Sequence, residues 1–290
     1  EMLEMKLQDP KALTLLKEAQ GATDDGAKLT GQLLAFGRRQ PLNPRMTEWA
    51  GKRVWLVGAS TGIGEATASA LHAQGAIVTV SARKRDALQA FVDRHPGSYA
   101  LPLDVSDAAG VESASRDVLA MGPLDCVVYC AGHYNAMRAF AMDVVDMERH
   151  LQVNYMGALQ LLHAVIPALL AQGHGHISLV GSVAGYRGLP NSLAYGPTKA
   201  AMINLAETLY LDLRNRGVGV SLISPGFVQT PLTANNQFSM PVLITPAEAA
   251  QAMLRGWARG QFDIHFPKRF TLWMQLLRLL PDRVFFALVR

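Results

Sequence analysis

The chain has 290 residues, 50% of them hydrophobic and 17% charged, enough to bury a substantial core in one large α/β domain or two small ones. Its two cysteines, Cys126 and Cys130, exclude a disulfide framework: both sit in the apolar run "DCVVYC", and four residues along a strand lie roughly 13 Å apart. The net charge of +4 is concentrated in residues 264–290, which carry five basic residues and one acidic, a placement that suits an anionic surface rather than a body that wraps nucleic acid.

Residues 1–45 read as a helical extension, with one helix from Asp9 to about Gln20 opened by Asp9-Pro10. The polar "GATDDGAK", a second short helix and the Pro-punctuated "RRQPLNPRM" follow. The domain proper is expected from Met46 to residue 263. It opens with a strand at Arg53–Val57, a helix at Ile63–Gln74, a strand at Ala76–Ala82 and a helix at Arg85–Arg94. Tyr99–Leu103 leads to a helix at Asp107–Met121, and a strand at Cys126–Cys130 leads to one long helix from Asp146 to Gln172. His176–Val180 precedes a helix over residues 194–213, and Val218–Ser224 is the next strand. Runs such as "VWLVG", "AIVTVSA", "HISLVG" and "VGVSLIS" are nearly continuously apolar, as strands buried on both faces require. The expected fold is therefore a doubly wound α/β domain with a mostly parallel sheet and helices on both sides. With no Asn-x-Ser/Thr sequon and no N-terminal apolar run of signal-peptide type, the expected compartment is the cytoplasm.

The first expected strand runs into "GASTGIG", that is Gly58-x-x-x-Gly62-x-Gly64, and straight into a helix. Glycines there permit a tight turn and let a pyrophosphate approach backbone N–H groups at a helix N-terminus; an ordinary flexible turn has the same composition. Its place on the first strand of a doubly wound sheet favours the dinucleotide reading, because crevices form at strand carboxyl ends. The second strand ends in "VTVSARKRD", with Arg83, Lys84 and Arg85 and no acid before Asp86. A guanidinium pairs with a phosphate through two hydrogen bonds, so Arg83 favours NADP over NAD. After the third strand, Asp104-Val105 suits a helix-initiating turn with Ser106 or Asp107 as cap.

In "AYGPTKAAMINLAETLYLDL", Tyr195 and Lys199 stand at i and i+4, on one helix face. A phenol of pKa about 10 is a poor acid/base at neutral pH until a nearby ammonium stabilises its phenolate. Pro197 falls in the first turn, where its missing N–H breaks no bond. On spacing alone the two side chains form a surface pair. Ser182 ends "HISLVGS" thirteen residues earlier, Asn154 lies in "LQVNYMGAL", and Pro225-Gly226-Phe227-Val228-Gln229-Thr230 follows the next strand.

In this order, the motifs resemble the short-chain dehydrogenase/reductase family over about residues 50–235. The resemblance implies a seven-stranded Rossmann-type sheet and an oxidoreductase that moves a hydride between nicotinamide and a carbonyl or secondary alcohol. It implies that Tyr195 is the general acid for reduction and the base for oxidation, and that Lys199 bonds the nicotinamide ribose and lowers the tyrosine pKa. Ser182 would polarise the substrate carbonyl, and Asn154 would hold a water in a proton relay from Lys199. Implied cofactor contacts are Gly58, Ser60, Thr61, Gly62, Ile63 and Gly64 in the turn, Arg83, and Asp104 with Val105 beside the adenine. Further contacts are implied at Ala131, Gly132, Tyr195, Lys199, Pro225, Gly226, Val228 and Thr230. A homodimer or homotetramer through the two long helices is implied as well. Cys130-Ala131-Gly132 departs from the family's Asn-Ala-Gly, and Val57 stands where a threonine is usual. The alternatives are a non-catalytic NAD(P)-binding sensor or scaffold on the same fold, and a sugar-nucleotide epimerase, against which the glycine spacing speaks.

Outside these motifs, His174-x-His176 lacks a third ligand, and no metal is expected. His133 and Tyr134 either edge the substrate pocket or are idle loop residues. Arg187 either pairs with an anionic substrate or is solvated. Leu232, Phe238, Met240 and Leu243 lie where the resemblance implies a substrate lid and suggest an apolar substrate. The basic tail places Trp273, Leu276, Leu277 and Leu280 at helical spacing, too interrupted by Arg278, Asp282 and Arg283 to span a bilayer. It is expected to cover the pocket, pack on another subunit or lie on a membrane surface.

Overall fold

The computed structural model describes residues 45–234 and 240–289; the helix expected from Asp9 and the lid residue Phe238 lie outside them. Its strands are β1 (Arg53–Val57), β2 (Ile77–Ser81), β3 (Tyr99–Ala100), β4 (Cys126–Tyr129), β5 (Gly175–Val180), β6 (Val218–Pro225) and β7 (Asp263–Phe266). They form one parallel sheet in the order β3-β2-β1-β4-β5-β6-β7. Alternate residues feed two cores: Trp55, Val57, Val127 and Tyr129 point to one face, Val54, Leu56, Cys126 and Val128 to the other. Burial on both faces is why these strands read as unbroken apolar runs.

Helices α1 (Gly62–His72), α2 (Arg85–Arg94) and α7 (Pro246–Ala258) cover the second face. The first face carries α3 (Ala108–Ala120), α5 (Gly157–Gln172) and α6 (Tyr195–Leu213), together with residues of α8 (Lys268–Arg278) and α9 (Asp282–Leu288). Phe285 of α9 is 1% exposed, a burial that contributes about 2 kcal/mol. The remaining helix, α4 (Val144–Leu151), runs into α5 through a π turn at Gln152–Met156. The run Val144–Gln172 is long and apolar enough to cross a membrane by length and composition. Its Leu161, Leu162, Val165 and Leu169 are core residues, however, so packing on the sheet accounts for that composition.

Two expectations are corrected, and two elements are added. The strand expected to reach Leu103 is regular only over Tyr99–Ala100, although Leu101 and Leu103 still donate to Val80 O and Ala82 O at 2.9 and 3.0 Å. Pro102 faces the open edge, where a missing donor is tolerated. The single long helix is interrupted by the π turn. The seven-stranded sheet is as expected, but the place of its seventh strand, β7, and of α7 was not read, although α7 opens with a Thr245–Glu248 capping box and Pro246, a signature readable in sequence.

Candidate active site

β1 and β4 are neighbours in the sheet while β2 and β3 lie beyond β1, so the chain's connections diverge there and a crevice opens at the strands' carboxyl ends. A cleft of ≈ 550 Å³ occupies this position. Of the residues implied as catalytic or as cofactor contacts, all line it except Gly64 and Asn154.

The turn after β1 needs glycine for proximity as much as for flexibility. A Cβ on Gly58 would stand 2.3 Å from Ala131 N, at φ +91°, and one on Gly64 would stand 2.3 Å from Gly58 O. Gly64 thus lets α1 start tight against the turn, and its N–H bonds the thiol of Cys130. Burial pushes that thiol up to about 11, against the opposing effect of Lys199, so Cys130 is a neutral acceptor that holds the turn. The departure from Asn-Ala-Gly leaves the local structure intact.

Thr61 sits at the N-cap of α1 without a side-chain capping bond, and the helix's first turn opens on the cleft beside Ser60, Gly62 and Ile63. Arg83 and Lys84 are exposed along the same cleft. Asp104 accepts from Ser106 N and Ser106 Oγ at 3.0 and 2.7 Å, so it forms a turn and lines the cleft at once. Burial acts to raise its carboxyl pKa, but the Ser106 bonds and the nearby Arg83 and Arg149 hold it below the usual range. Asp107 occupies the N-cap of α3 without a side-chain bond.

Ser182 follows β5, and its Oγ accepts from Ala184 N at 3.1 Å. Tyr195 opens α6, and its phenol is hydrogen-bonded to Ser182. Lys199, 3% exposed, donates to Val180 O at 2.8 Å, with its Nζ 5.6 Å from the Tyr195 ring centroid. Burial pushes the phenol up to about 12, with Ser182 acting against it, and pulls Lys199 down to about 8. The expected lowering of the phenol by Lys199 is therefore not what this geometry gives. The ammonium is turned to a carbonyl, and desolvation dominates both groups.

Asn154 lies in the π turn and is wholly buried. Its Nδ2 donates to His133 O at 2.9 Å and to Thr198 Oγ1 at 3.0 Å, while Oδ1 accepts from His133 N at 2.6 Å. Both amide protons are thus committed, so Asn154 braces the loop after β4 against α6. For the expected water-holding role this side chain offers no free donor, only the second lone pair of Oδ1.

His133 and Tyr134 line the cleft, and Tyr134 packs edge-on against Tyr195 with ring centroids 5.0 Å apart. Sequence reasoning missed what holds them. His133 Nε2 donates to Asp146 Oδ1 at 2.7 Å, and His150, fully buried, bonds the Asp146 carbonyl through Nδ1 at 2.7 Å and accepts from Asn135 N at 3.1 Å. Potential ligand atoms of His133, Asp146 and His150 lie within 4.8 Å of one another. Both His150 nitrogens are occupied by bonds to the chain, which makes the group a brace. The i, i+4 spacing of Asp146 and His150 was the available signal. His176 instead lies in β5 and bonds Ser221 Oγ at 3.0 Å, and burial pulls it down to about 4. Arg187 is neither solvated nor in the cleft: it donates to Leu280 O at 2.6 Å and pairs with Asp282. Of the residues in the expected lid segment, Leu232 lines the cleft and Leu243 is exposed.

Comparison with known proteins bears on this arrangement. A model of the short chain dehydrogenase family matches residues 52–240. An uncharacterized oxidoreductase of Myxococcus xanthus is 33% identical over 250 residues, 84% of this chain and 99% of that protein. A solved short chain dehydrogenase of Burkholderia cenocepacia, in complex with NADP, shares the fold at TM-score 0.75 and 24% identity, over 84% of this chain and 99% of that one. A 3-ketoacyl-(acyl-carrier-protein) reductase of Brucella melitensis, complexed with NADH, does so at 0.70 and 22%, over 76% and 98%.

Proposed function

The chain belongs to the short-chain dehydrogenase/reductase family, oxidoreductases acting on CH–OH and C=O groups, and from that premise we propose that it interconverts a carbonyl and a secondary alcohol of an apolar substrate with NADP, using Tyr195 as general acid/base. The reading rests on one observation above the others: the Ser182-bonded phenol of Tyr195 and the buried Lys199 line the same cleft as the glycine turn. The residues suit a dinucleotide, since an uncapped helix N-terminus and the Gly58–Ile63 backbone can take a pyrophosphate. Exposed Arg83 and Lys84 can take a ribose 2′-phosphate, which supports NADP over NAD.

When bound, NADP would supply the hydride in reduction or accept it in oxidation. The neutral Tyr195 phenol gives its proton to the carbonyl oxygen in reduction, and its phenolate takes the carbinol proton in oxidation. Ser182 Oγ hydrogen-bonds the same oxygen and orients it. With the cofactor bound, Lys199 would turn from Val180 O to hold its ribose and would keep positive charge near the phenol. Asp104, Val105, Ala131, Gly132, Pro225, Gly226, Val228 and Thr230, which line the cleft, would hold the cofactor, and Asn154 ties the loop after β4 to α6 through His133 and Thr198. The protein works in the cytoplasm as a homo-oligomer on this reading.

A screen of carbonyl compounds, followed by NADPH and NADH absorbance, tests the activity and the role of Arg83, which a clear NADH preference would refute. Tyr195→Phe is expected to lose about 10²–10⁴ in kcat with NADPH binding retained. Undiminished turnover in that variant would remove Tyr195 from the mechanism.

A further inference from the structure

Residues from Lys268 onward fold as α8 and α9, with inner faces anchored on the domain. Met274, Leu277 and Phe285 are buried, and Phe270 packs against Phe227 with ring centroids 5.3 Å apart. Arg187 clamps the junction between the helices: it donates to Leu280 O, pairs with Asp282 and stands 4.0 Å from the Phe285 ring centroid.

The outer faces have a different character. Leu272, Trp273, Leu276 and Leu279 on or just after α8, with Phe286 and Leu288 on α9, are all more than half exposed. Such a repeat of large apolar side chains on a solvent-facing helix marks an interaction surface. Lys268, Arg269, Arg278 and Arg283 of the same segment are exposed as well. The segment's one acid, Asp282, is neutralised by Arg187 from outside the tail. What remains is apolar surface set among cations.

We propose that this face docks on an anionic membrane surface, with the apolar side chains at the headgroup boundary and the four cations against lipid phosphates and carboxylates. Charge complementarity selects this occupant. A second copy meeting the face through a two-fold contact would bring the same cations opposite one another, whereas anionic lipid neutralises them and leaves the apolar side chains to insert. The proposal goes beyond the oxidoreductase reading and stands independently of it.

Trp273 provides the readout, because Trp49, Trp55 and Trp257 are at most 2% exposed and Trp273 is 56% exposed. The full chain is titrated with phosphatidylcholine vesicles containing roughly one part in four phosphatidylserine, and with phosphatidylcholine alone. With the anionic vesicles, Trp273 emission is expected to shift to the blue, acrylamide quenching to fall and the protein to co-sediment. With neutral vesicles the affinity is expected to be at least about tenfold weaker, and added salt weakens the anionic binding. Each cation near such a surface contributes about fivefold, so Arg269→Glu with Arg283→Glu is expected to weaken binding by on the order of a hundredfold or more. Leu276→Glu is expected to abolish insertion while carbonyl turnover and melting temperature persist, since the side chain is exposed. Absence of anionic-vesicle binding, equal binding to both vesicles, or binding untouched by these variants would each overturn the proposal. So would a Leu276→Glu chain that changes oligomeric state in sedimentation equilibrium while the parent ignores vesicles, because the face would then join copies of the chain.

Discussion

Replacing Lys199 by methionine is expected to yield a protein that is more stable at neutral pH and catalytically crippled. Lys199 is 3% exposed, and burial pulls its pKa from 10.5 to about 8. A fall of about 2.5 units corresponds to about 3 kcal/mol of folding free energy. Below pH 8 both folded and unfolded chains carry the charge, and the cost is fully present. Between about 8 and 10.5 the folded chain releases its proton first, so stability rises with pH; above 10.5 the cost is gone. Methionine matches the length without the charge but leaves Val180 O without its donor, a loss of about 1 kcal/mol. The balance is a gain of about 2 kcal/mol at pH 7 that turns into a loss of about 1 kcal/mol at high pH. Urea midpoints of parent and variant, measured near both pH values, read the difference directly. The opposite linkage of Tyr195, raised from 10.0 to about 12, is common to both proteins and cancels to first order. A variant less stable than its parent at pH 7, or a difference that does not change with pH, would refute the reasoning.

Three further outcomes follow from the same geometry. Because burial keeps the Tyr195 phenol protonated to about pH 12, carbonyl reduction is expected to stay flat through neutral pH and alcohol oxidation to climb as the pH rises, in initial-rate profiles of both directions; an oxidation rate that peaks near neutrality would contradict this. Gly58→Ala drives a Cβ to within 2.3 Å of Ala131 N and 2.5 Å of its Cα at φ +91°, where only backbone could yield. It is expected to lose at least about 3 kcal/mol by urea unfolding, and a loss below about 0.5 kcal/mol would mean the turn is not so tightly held. Asp146→Asn weakens the charge-assisted bond to His133 Nε2 and is expected to cost about 2 kcal/mol in the same assay. A neutral result there would remove the His133–Asp146–His150 brace from the account.

The sheet was legible wherever a strand is buried on both faces, because such positions are filled mainly by apolar residues, with the few buried polar ones, such as Ser81, His176 and Ser178, paired by hydrogen bonds. β7 escaped because "DIHF" is short and its Asp263 and His265 are only part-buried, so the apolar run never forms. The glycine turn and the Tyr195–Lys199 pair were legible because their chemistry needs short, fixed spacings. The sign of the phenol shift was not, since spacing places Lys199 on the right helix face but says nothing of where its ammonium turns or how dry the site is. The His133–Asp146–His150 group escaped because the loop after β4 folds back on α4, a return that no local pattern records.

The π turn is the part of the site that sequence hid most completely, and its effect is geometric. An i→i+5 turn carries an extra residue without the advance of a regular turn, and a regular helix rotates about 100° per residue. Residues 152–156 adopt that wider turn, and within it the amide of Asn154 reaches the loop after β4 at His133 and α6 at Thr198. A regular helix over the same residues would change the rotation of Asn154 relative to α5, whose Leu161, Val165 and Leu169 are fixed in the core. The amide would then lose one wall or the other. The wall carrying Gly132, His133 and Tyr134 and the wall carrying Tyr195 are held in register by that side chain together with the backbone pairing of Met137 with Asn191 and Leu193. The interruption of the long helix therefore contributes to the Tyr134–Tyr195 contact and to the shape of the cleft between them.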